Sequence, residues 1–377
     1  MRLALTLPCD SPMEPISYTT PIPYVIIGGL RIIEHWLIRL INEATVALNV
    51  EQIHVHRNKL LISELGVPFN IEYSSNADAY VNPCIIPYTS NVKMVVRHIN
   101  NNESVACGDH YLIKVRNSEE TINDCSIEFI KGPWDIIKHN NTLLSETIKI
   151  LAGIISLRDD VMLYESEASG DVKFNTSGGP VLVVKSSINA PVYIKGPALI
   201  GPGTVLSPFT YIREGTVAYM EDKLSGEIKN TVIDCCTFKE HYGYLGDSYV
   251  GKWVNFGAGT TVSNLKNTLS TVKFMGINTG MVKLGPIIGD WVKTGINTGI
   301  MTGKAIGSGS HVYGLVTIDT PPFTIYNGEL IAFNREKVHE VILRTTHSSE
   351  EAEYALRIYD LTLSLRSNVK VGEYKLP

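Results

Sequence analysis

A six-residue period runs through the second half of the chain. Counting in sixes from Leu182 gives Ile188, Ile194, Ile200, Leu206 and Ile212; a second register gives Val232, Phe238, Tyr244, Val250, Phe256 and Val262; a third gives Ile288, Thr294, Ile300, Ile306, Val312 and Ile318. Seventeen of these eighteen slots hold a large apolar or aromatic residue in a chain that is 44% hydrophobic, which excludes chance spacing. A period of six is neither the 2 of a half-buried strand nor the 3.6 of a helix. It fits a triangular coil in which three short strands, each with its turn, make eighteen residues and send one side chain apiece into the axis. Stacked coils then bury a continuous apolar column and hydrogen-bond to one another. Gly201, Gly251, Gly257, Gly289, Gly295 and Gly307 follow slot residues and are read as turn positions needing small size or positive φ. The expected fold of residues 180–320 is therefore a left-handed parallel β-helix. Residues 213–231 and 264–287 break the count and are expected to project as loops on the binding face.

The flanks differ. RLALTL near the start reads as a strand, 29–46 carries apolar residues at helical spacing (Ile32, Ile33, Trp36, Leu37, Leu40, Ile41), and QIHVH at 52–56 alternates like a second strand. Strand, helix, strand in that order predicts a parallel βαβ unit and a Rossmann-like α/β domain over 1–158, with a joining helix at 142–158. After the repeat, Pro321 and Pro322 stop the coil. Ser348 and Ser349 followed by Glu350 and Glu351 then open an amphipathic helix to about Arg366 within a C-terminal extension, 321–377.

Charged residues make up 19% of the chain and net charge is −5, with no basic excess pointing to nucleic acid. Cys9, Cys84, Cys107, Cys125, Cys235 and Cys236 lack metal-ligand spacing and are read as reduced thiols of a cytoplasmic protein. The apolar start breaks at Pro8, short of a secretory core, and no window approaches the ~18 apolar residues of a membrane helix.

The segment HYGYLGDSYVGKWVNFGAGTTVSNLKN (241–267), with KLGPIIGDWVKTGINTGI (283–300), resembles the acetyltransferase half of the bifunctional UDP-N-acetylglucosamine pyrophosphorylase / glucosamine-1-phosphate N-acetyltransferase family, the GlmU type, in its archaeal and alternative bacterial branches. The resemblance implies roles. His241 matches the catalytic base. Glu227 and Lys229 match a Glu-x-Lys that contacts the amino sugar phosphate. Arg213 matches one arginine of a phosphate-binding R-x-R-P-G whose other arginine is Tyr211 here. Tyr244 and Asn264 match sugar-contacting positions, and Asn255, Ala258 and Ile296 match positions on the acetyl-CoA side, Ile296 standing where the family has serine. The N-terminal segment 11–40 is similar to the nucleotidyltransferase half in degraded form. The Gly-rich G-x-G-T-R loop is absent, Ile22 replaces a lysine, and Gly108-Asp109 stands where a metal-binding carboxylate is placed, without a second carboxylate to assign.

N-acetylation needs a base to free the amine, cations to hold phosphate and donors for the oxyanion. Histidine is the residue type whose ordinary pKa suits the first task. The expectation is an acetyl-CoA-dependent N-acetyltransferase acting on glucosamine-1-phosphate or galactosamine-1-phosphate as a homotrimer, with no metal in that site and no nucleic-acid or membrane partner. Mg²⁺ is expected only if the N-terminal domain is active. The alternatives are a bifunctional enzyme that also makes a nucleotide sugar, and a non-catalytic subunit stabilising an active paralogue.

Overall fold

The computed structural model describes residues 1–371 except Asn42 and Ser75, and divides into two compact units, Met1–Met13 with Thr20–Arg158, and Glu14–Thr19 with Asp159 onward. The first unit is built on a seven-stranded sheet in the order Ile71–Tyr73, Thr45–Leu48, Arg2–Leu5, Ala79–Val81, His110–Val115, Ser104–Cys107, Thr121–Asn123. The first four strands are parallel, and Arg2–Leu5, the helix Ile32–Arg39 and Thr45–Leu48 form the expected βαβ unit. QIHVH is not a strand. It lies in the helix Gln52–Arg57, none of whose residues is buried, so its alternation reflected no core face. The joining helix runs earlier than expected, Pro133–Ile154, with proline in the first turn where a missing N–H costs nothing.

Four cysteines expected to be reduced are paired here, Cys9 with Cys84 and Cys107 with Cys125. Their Cα atoms stand 5.8 and 4.8 Å apart because the sheet brings distant segments together: Cys107 ends a strand that pairs with Thr121–Asn123. Cys235 and Cys236 are free and buried.

The second unit is a β-helix with three parallel faces. Its longest sheet stacks Val161–Tyr164, Val181–Val184, Ala198–Ile200, Thr216–Met220, Val232–Cys235, Tyr249–Val250, Ile287–Ile288 and Ala305–Ile306. Coiling therefore begins at Val161, about twenty residues before the aliphatic count does. The strands Glu167–Ser169 and Val172–Asn175 pair with the next coil although they carry few apolar residues.

Inter-coil register identifies the inward columns. One runs Val183, Ile200, Ala218, Ile233, Val250, Ile288, Ile306; another runs Ile194, Ile212, Ile228, Leu245. These residues are at most 1% exposed, and each such burial is worth about 1.5–3 kcal/mol. The count in sixes is thus one residue off at several places: Val183, Ile233 and Leu245 point inward, not Leu182, Val232 and Tyr244. Val316 takes the slot assigned to Ile318, which is 40% exposed. Residues 213–231 are not a projecting loop but a regular coil whose inward residues fall at 218, 224 and 228, a shortened turn that hides the period. Residues 264–287 do leave the coil, through an antiparallel hairpin, Lys273–Phe274 with Ile277–Asn278.

The glycines after slot residues have ordinary φ. Positive φ falls instead on corner residues such as Phe209, Glu221, Cys236 and Asp247. Gly201 and Gly257 are needed because a Cβ would strike the carbonyl of Tyr219 and the backbone of Gly295 in the next coil.

Pro321 and Pro322 do not stop the coil, since Thr324–Tyr326 pairs in parallel with His311–Val312 beyond them; the rest of the C-terminal extension holds two helices, Arg335–Thr346 and Ser349–Leu361, where one was expected. Ser348 Oγ caps the second by accepting from the Glu351 N–H, and Glu351 accepts from Trp291 Nε1 at 2.9 Å, fixing the helix to the coil. No helix among the described residues is long and apolar enough to cross a membrane.

Candidate active site

Two adjoining groups of side chains hold the predicted site residues. The first surrounds a cavity of about 320 Å³ lined by Phe238, Glu240, His241, Asn255, Phe256, Gly257, Ala258 and Ile296. His241 sits on an exposed turn between the strands Phe238–Lys239 and Tyr244–Gly246. The turn Gly257–Thr260 is locked to both neighbouring coils: Asn297 N–H of the next coil donates to Ala258 O at 2.7 Å, and Gly259 N–H donates to Tyr242 O of the preceding coil at 3.1 Å. The Tyr242 hydroxyl donates to Asn297 Oδ1 at 3.3 Å, tying the His241 turn to the coil beyond. Ile296 is 74% exposed, an apolar side chain held at the cavity rim. His241, Asn255, Ala258 and Ile296, predicted from distant parts of the chain, are thus brought together.

The second group runs down the neighbouring face through Arg213, Glu227, Lys229, Tyr244 and Asn264. Strand pairing sets Glu227 beside Tyr244 and Lys229 beside Gly246. Arg213 donates to Glu227 at 2.9 Å, and that bond raises its pKa further. The Tyr244 ring lies along Gly246, where a Cβ would collide with it, and its hydroxyl accepts from Asn264 Nδ2 at 2.9 Å. Burial, reinforced by Asp247 and Glu227, pushes the Tyr244 phenol up to about 12, so it stays a donor at neutral pH.

The hub of this group was not assigned from sequence. Asp247, almost wholly buried, accepts from Asn230 Nδ2 at 2.8 Å and from Asn264 Nδ2, and lies 3.9 Å from Lys229 Nζ. It occupies a left-handed corner, φ 50°, directly after Gly246. The only sequence signal was its place in the YLGD turn. The two groups meet at the turn 240–243, with His241 facing the cavity and Tyr244 opening the second face.

In the first unit, Asp109 lies in the exposed turn between Ser104–Cys107 and His110–Val115. Among the described residues no cluster of three or more His, Cys, Asp or Glu side chains is placed to hold a metal ion. Where the Gly-rich loop of a nucleotidyltransferase would follow the first strand, Cys9 is bridged to Cys84 and Pro8 O accepts from Asn82 Nδ2 at 2.9 Å.

No family model matches the chain. It is 34% identical over 192 residues to a bifunctional sugar-1-phosphate nucleotidylyltransferase/acetyltransferase of Sulfurisphaera tokodaii, covering 49% of this chain and 44% of that protein. It is 32% identical over 187 residues to the bifunctional protein GlmU of Methanococcus vannielii (48% and 41%) and 34% over 212 residues to that of Methanocaldococcus jannaschii (50% and 43%). Among solved structures, a UDP-N-acetylglucosamine acyltransferase of Francisella novicida aligns with 57% of this chain and 94% of its own at 12% identity and a TM-score of 0.30. The chain spans less than half the length of the curated relatives it matches, and over about half of its own length it is similar to bifunctional sugar-1-phosphate nucleotidylyltransferase/acetyltransferase proteins of the GlmU type.

Proposed function

We propose that the β-helix unit is an N-acetyltransferase that moves the acetyl group of acetyl-CoA to the amine of an amino sugar 1-phosphate, glucosamine-1-phosphate or galactosamine-1-phosphate. The observation that carries this reading is the junction at 240–243. It sets an accessible imidazole at the mouth of an apolar-rimmed cavity, one turn away from a surface of cations, amides and a phenol. The similarity to bifunctional nucleotidylyltransferase/acetyltransferase proteins supports the same class.

In this reading the acetyl thioester lies in the cavity along Asn255, Gly257, Ala258 and Ile296, and the sugar phosphate lies against Arg213, Lys229, Tyr244 and Asn264, with Glu227 orienting a hydroxyl. Arg213 offers a forked donor pair and Lys229 a point charge to the phosphate. His241 takes a proton from the sugar ammonium. The freed amine attacks the thioester carbonyl, the C–N bond forms as the C–S bond breaks, the imidazolium returns its proton to the departing thiolate, and the second proton shed by the nitrogen as the amide forms passes to solvent. The backbone near Ala258 orients the acetyl group. Three copies packed along flat β-helix faces form the assembly, so the solution mass is about 125 kDa, three times 41.6 kDa. A mass of 42 kDa by light scattering rejects the trimer.

The direct test is release of free thiol from acetyl-CoA with each sugar phosphate, beside His241→Ala. Because His241 is exposed, the variant keeps its stability within about 0.5 kcal/mol, while turnover falls about 10²–10⁴-fold. Equal turnover in wild type and variant removes His241 from the chemistry. No release by either favours the non-catalytic subunit.

A further inference from the structure

We propose that Lys239 and Thr294, two polar residues set in the apolar inner column of the β-helix, are positioning residues that hold from beneath the two turns lining the His241 cavity. The inference rests on the acetyltransferase reading for its kinetic consequences, but not for its geometry.

Register traces the column as Ile188, Leu206, Leu224, Lys239, Phe256, Thr294, Val312, Tyr326. Six of the eight positions are apolar or aromatic, and an aliphatic residue at either exception would extend the packed core. The two exceptions sit on either side of Phe256, at the level of the cavity.

Lys239 is 2% exposed. A cation in such a place is tolerated only when each of its protons finds an acceptor. Here Nζ donates to Ser225 O at 2.8 Å, Gly243 O at 3.0 Å and His241 O at 3.1 Å. Two of those three carbonyls belong to the turn that carries His241, and no carboxylate pairs with Lys239 among the described residues. Gly226 leaves the room this requires, since a Cβ there would stand 2.8 Å from Nζ and 2.7 Å from Gly243 O. Burial lowers the ammonium to about 8, which leaves it largely charged at neutral pH with all three donors in use.

Thr294, 6% exposed, does the same for the facing turn. Its Oγ1 accepts from Gly257 N–H at 2.9 Å and shares a 2.6 Å bond with Thr260 Oγ1. Gly257 and Thr260 bracket Ala258. Neither polar residue reaches the cavity; each acts through backbone atoms that do.

The test uses the full-length protein with Lys239→Met, Thr294→Val and Thr294→Ser. Lys239→Met fills the slot with an apolar chain of similar length and leaves the carbonyls of Ser225, His241 and Gly243 without this donor, so the variant should fold with a somewhat lower melting point. The expected result is a folded protein melting below wild type, a kcat lower by about 10–100-fold, and KM for the sugar phosphate within a few-fold, since a misplacement near 1 Å suffices for such a loss. Hydrogen exchange at 240–244 should rise about 10-fold or more while 216–220 stays unchanged, the mark of local loosening. Thr294→Val should loosen 257–260 and lower kcat, and Thr294→Ser, which keeps the hydroxyl, should restore both. Wild-type exchange at 240–244 with wild-type kcat in Lys239→Met overturns the proposal for Lys239. Failure of that variant to fold also overturns it, because Lys239 would then be a structural residue. Equal behaviour of Thr294→Val and Thr294→Ser overturns it for Thr294. If wild type releases no thiol with any amino sugar phosphate, the functional reading falls while hydrogen exchange still decides the positioning.

Discussion

Asp247→Asn is a nearly isosteric change that tests whether the second face binds the sugar phosphate. The carboxylate accepts from the side-chain amides of both Asn230 and Asn264 and stands 3.9 Å from Lys229 Nζ. An asparagine has one acceptor oxygen, so it can serve only one of the two amides. Its own NH₂ must face the other, replacing a bond by two opposed donors. Losing one charge-assisted bond at a buried site costs about 1.5–3 kcal/mol, and that is the expected drop in unfolding free energy. The functional effect is separate. Asn264 is the residue that donates to Tyr244 Oη, so releasing it from Asp247 frees both side chains from their present geometry. If together they contribute about 1–2 kcal/mol to sugar binding, KM for the sugar phosphate rises about 5–30-fold. KM for acetyl-CoA should be unchanged, because Asn255, Ala258 and Ile296 have no contact with this hub among the interactions described. Steady-state thiol release over a sugar phosphate series, beside urea denaturation, measures both. A stability loss with an unchanged sugar KM refutes the assignment and leaves Asp247 a structural corner.

Two further outcomes follow from groups outside that hub. Burial holds the Asp222 carboxyl well above the usual carboxylate range, with Thr237 N–H on one oxygen and no partner on the other among the described residues. The unfolded chain therefore sheds this proton before the folded one does, and stability falls as pH rises from the ordinary carboxylate value through the raised one. Asp222→Asn keeps the Thr237 bond and should gain at least about 1 kcal/mol at pH 7, with a smaller gain at pH 4, by urea melts. In the first unit, the bridged segment at Cys9 and the missing Gly-rich loop remove the backbone cradle that a triphosphate needs. Incubation with UTP or dTTP, a sugar 1-phosphate and Mg²⁺ should release no pyrophosphate above background, and release would restore the bifunctional reading.

The fold was legible because an eighteen-residue coil repeats one burial requirement three times per turn, and aliphatic residues meeting it recur too regularly to miss. What the count in sixes lost was local. A coil shortened by three residues, as between Ala218 and Ile233, keeps its strands in register with the neighbouring coil while moving the inward residue off the count. Burial alone also failed to distinguish the columns, since Leu182 and Val232 are as buried as Val183 and Ile233 although they face the other way. The disulfides were invisible for a related reason. Their spacing carries no information until the sheet sets Cys107 near Cys125.

The proposed site was legible where a side chain lines the cavity or the second face and illegible where it faces the protein. His241, Asn255, Tyr244 and Asn264 stand in motifs that resemble those of the GlmU type. Asp247 and Lys239 work from the other side, one beneath the amides and the other beneath the backbone, and their roles depend on what the adjoining coil presents. Lys239 looks like a solvated surface charge beside Glu240 until register places it between Leu224 and Phe256. The error of one residue that set Phe238 in the inner column is therefore the same error that concealed Lys239. Correcting it changes the picture of the cavity: Phe238 lines it from outside, and the cation that steadies the His241 turn lies within the core.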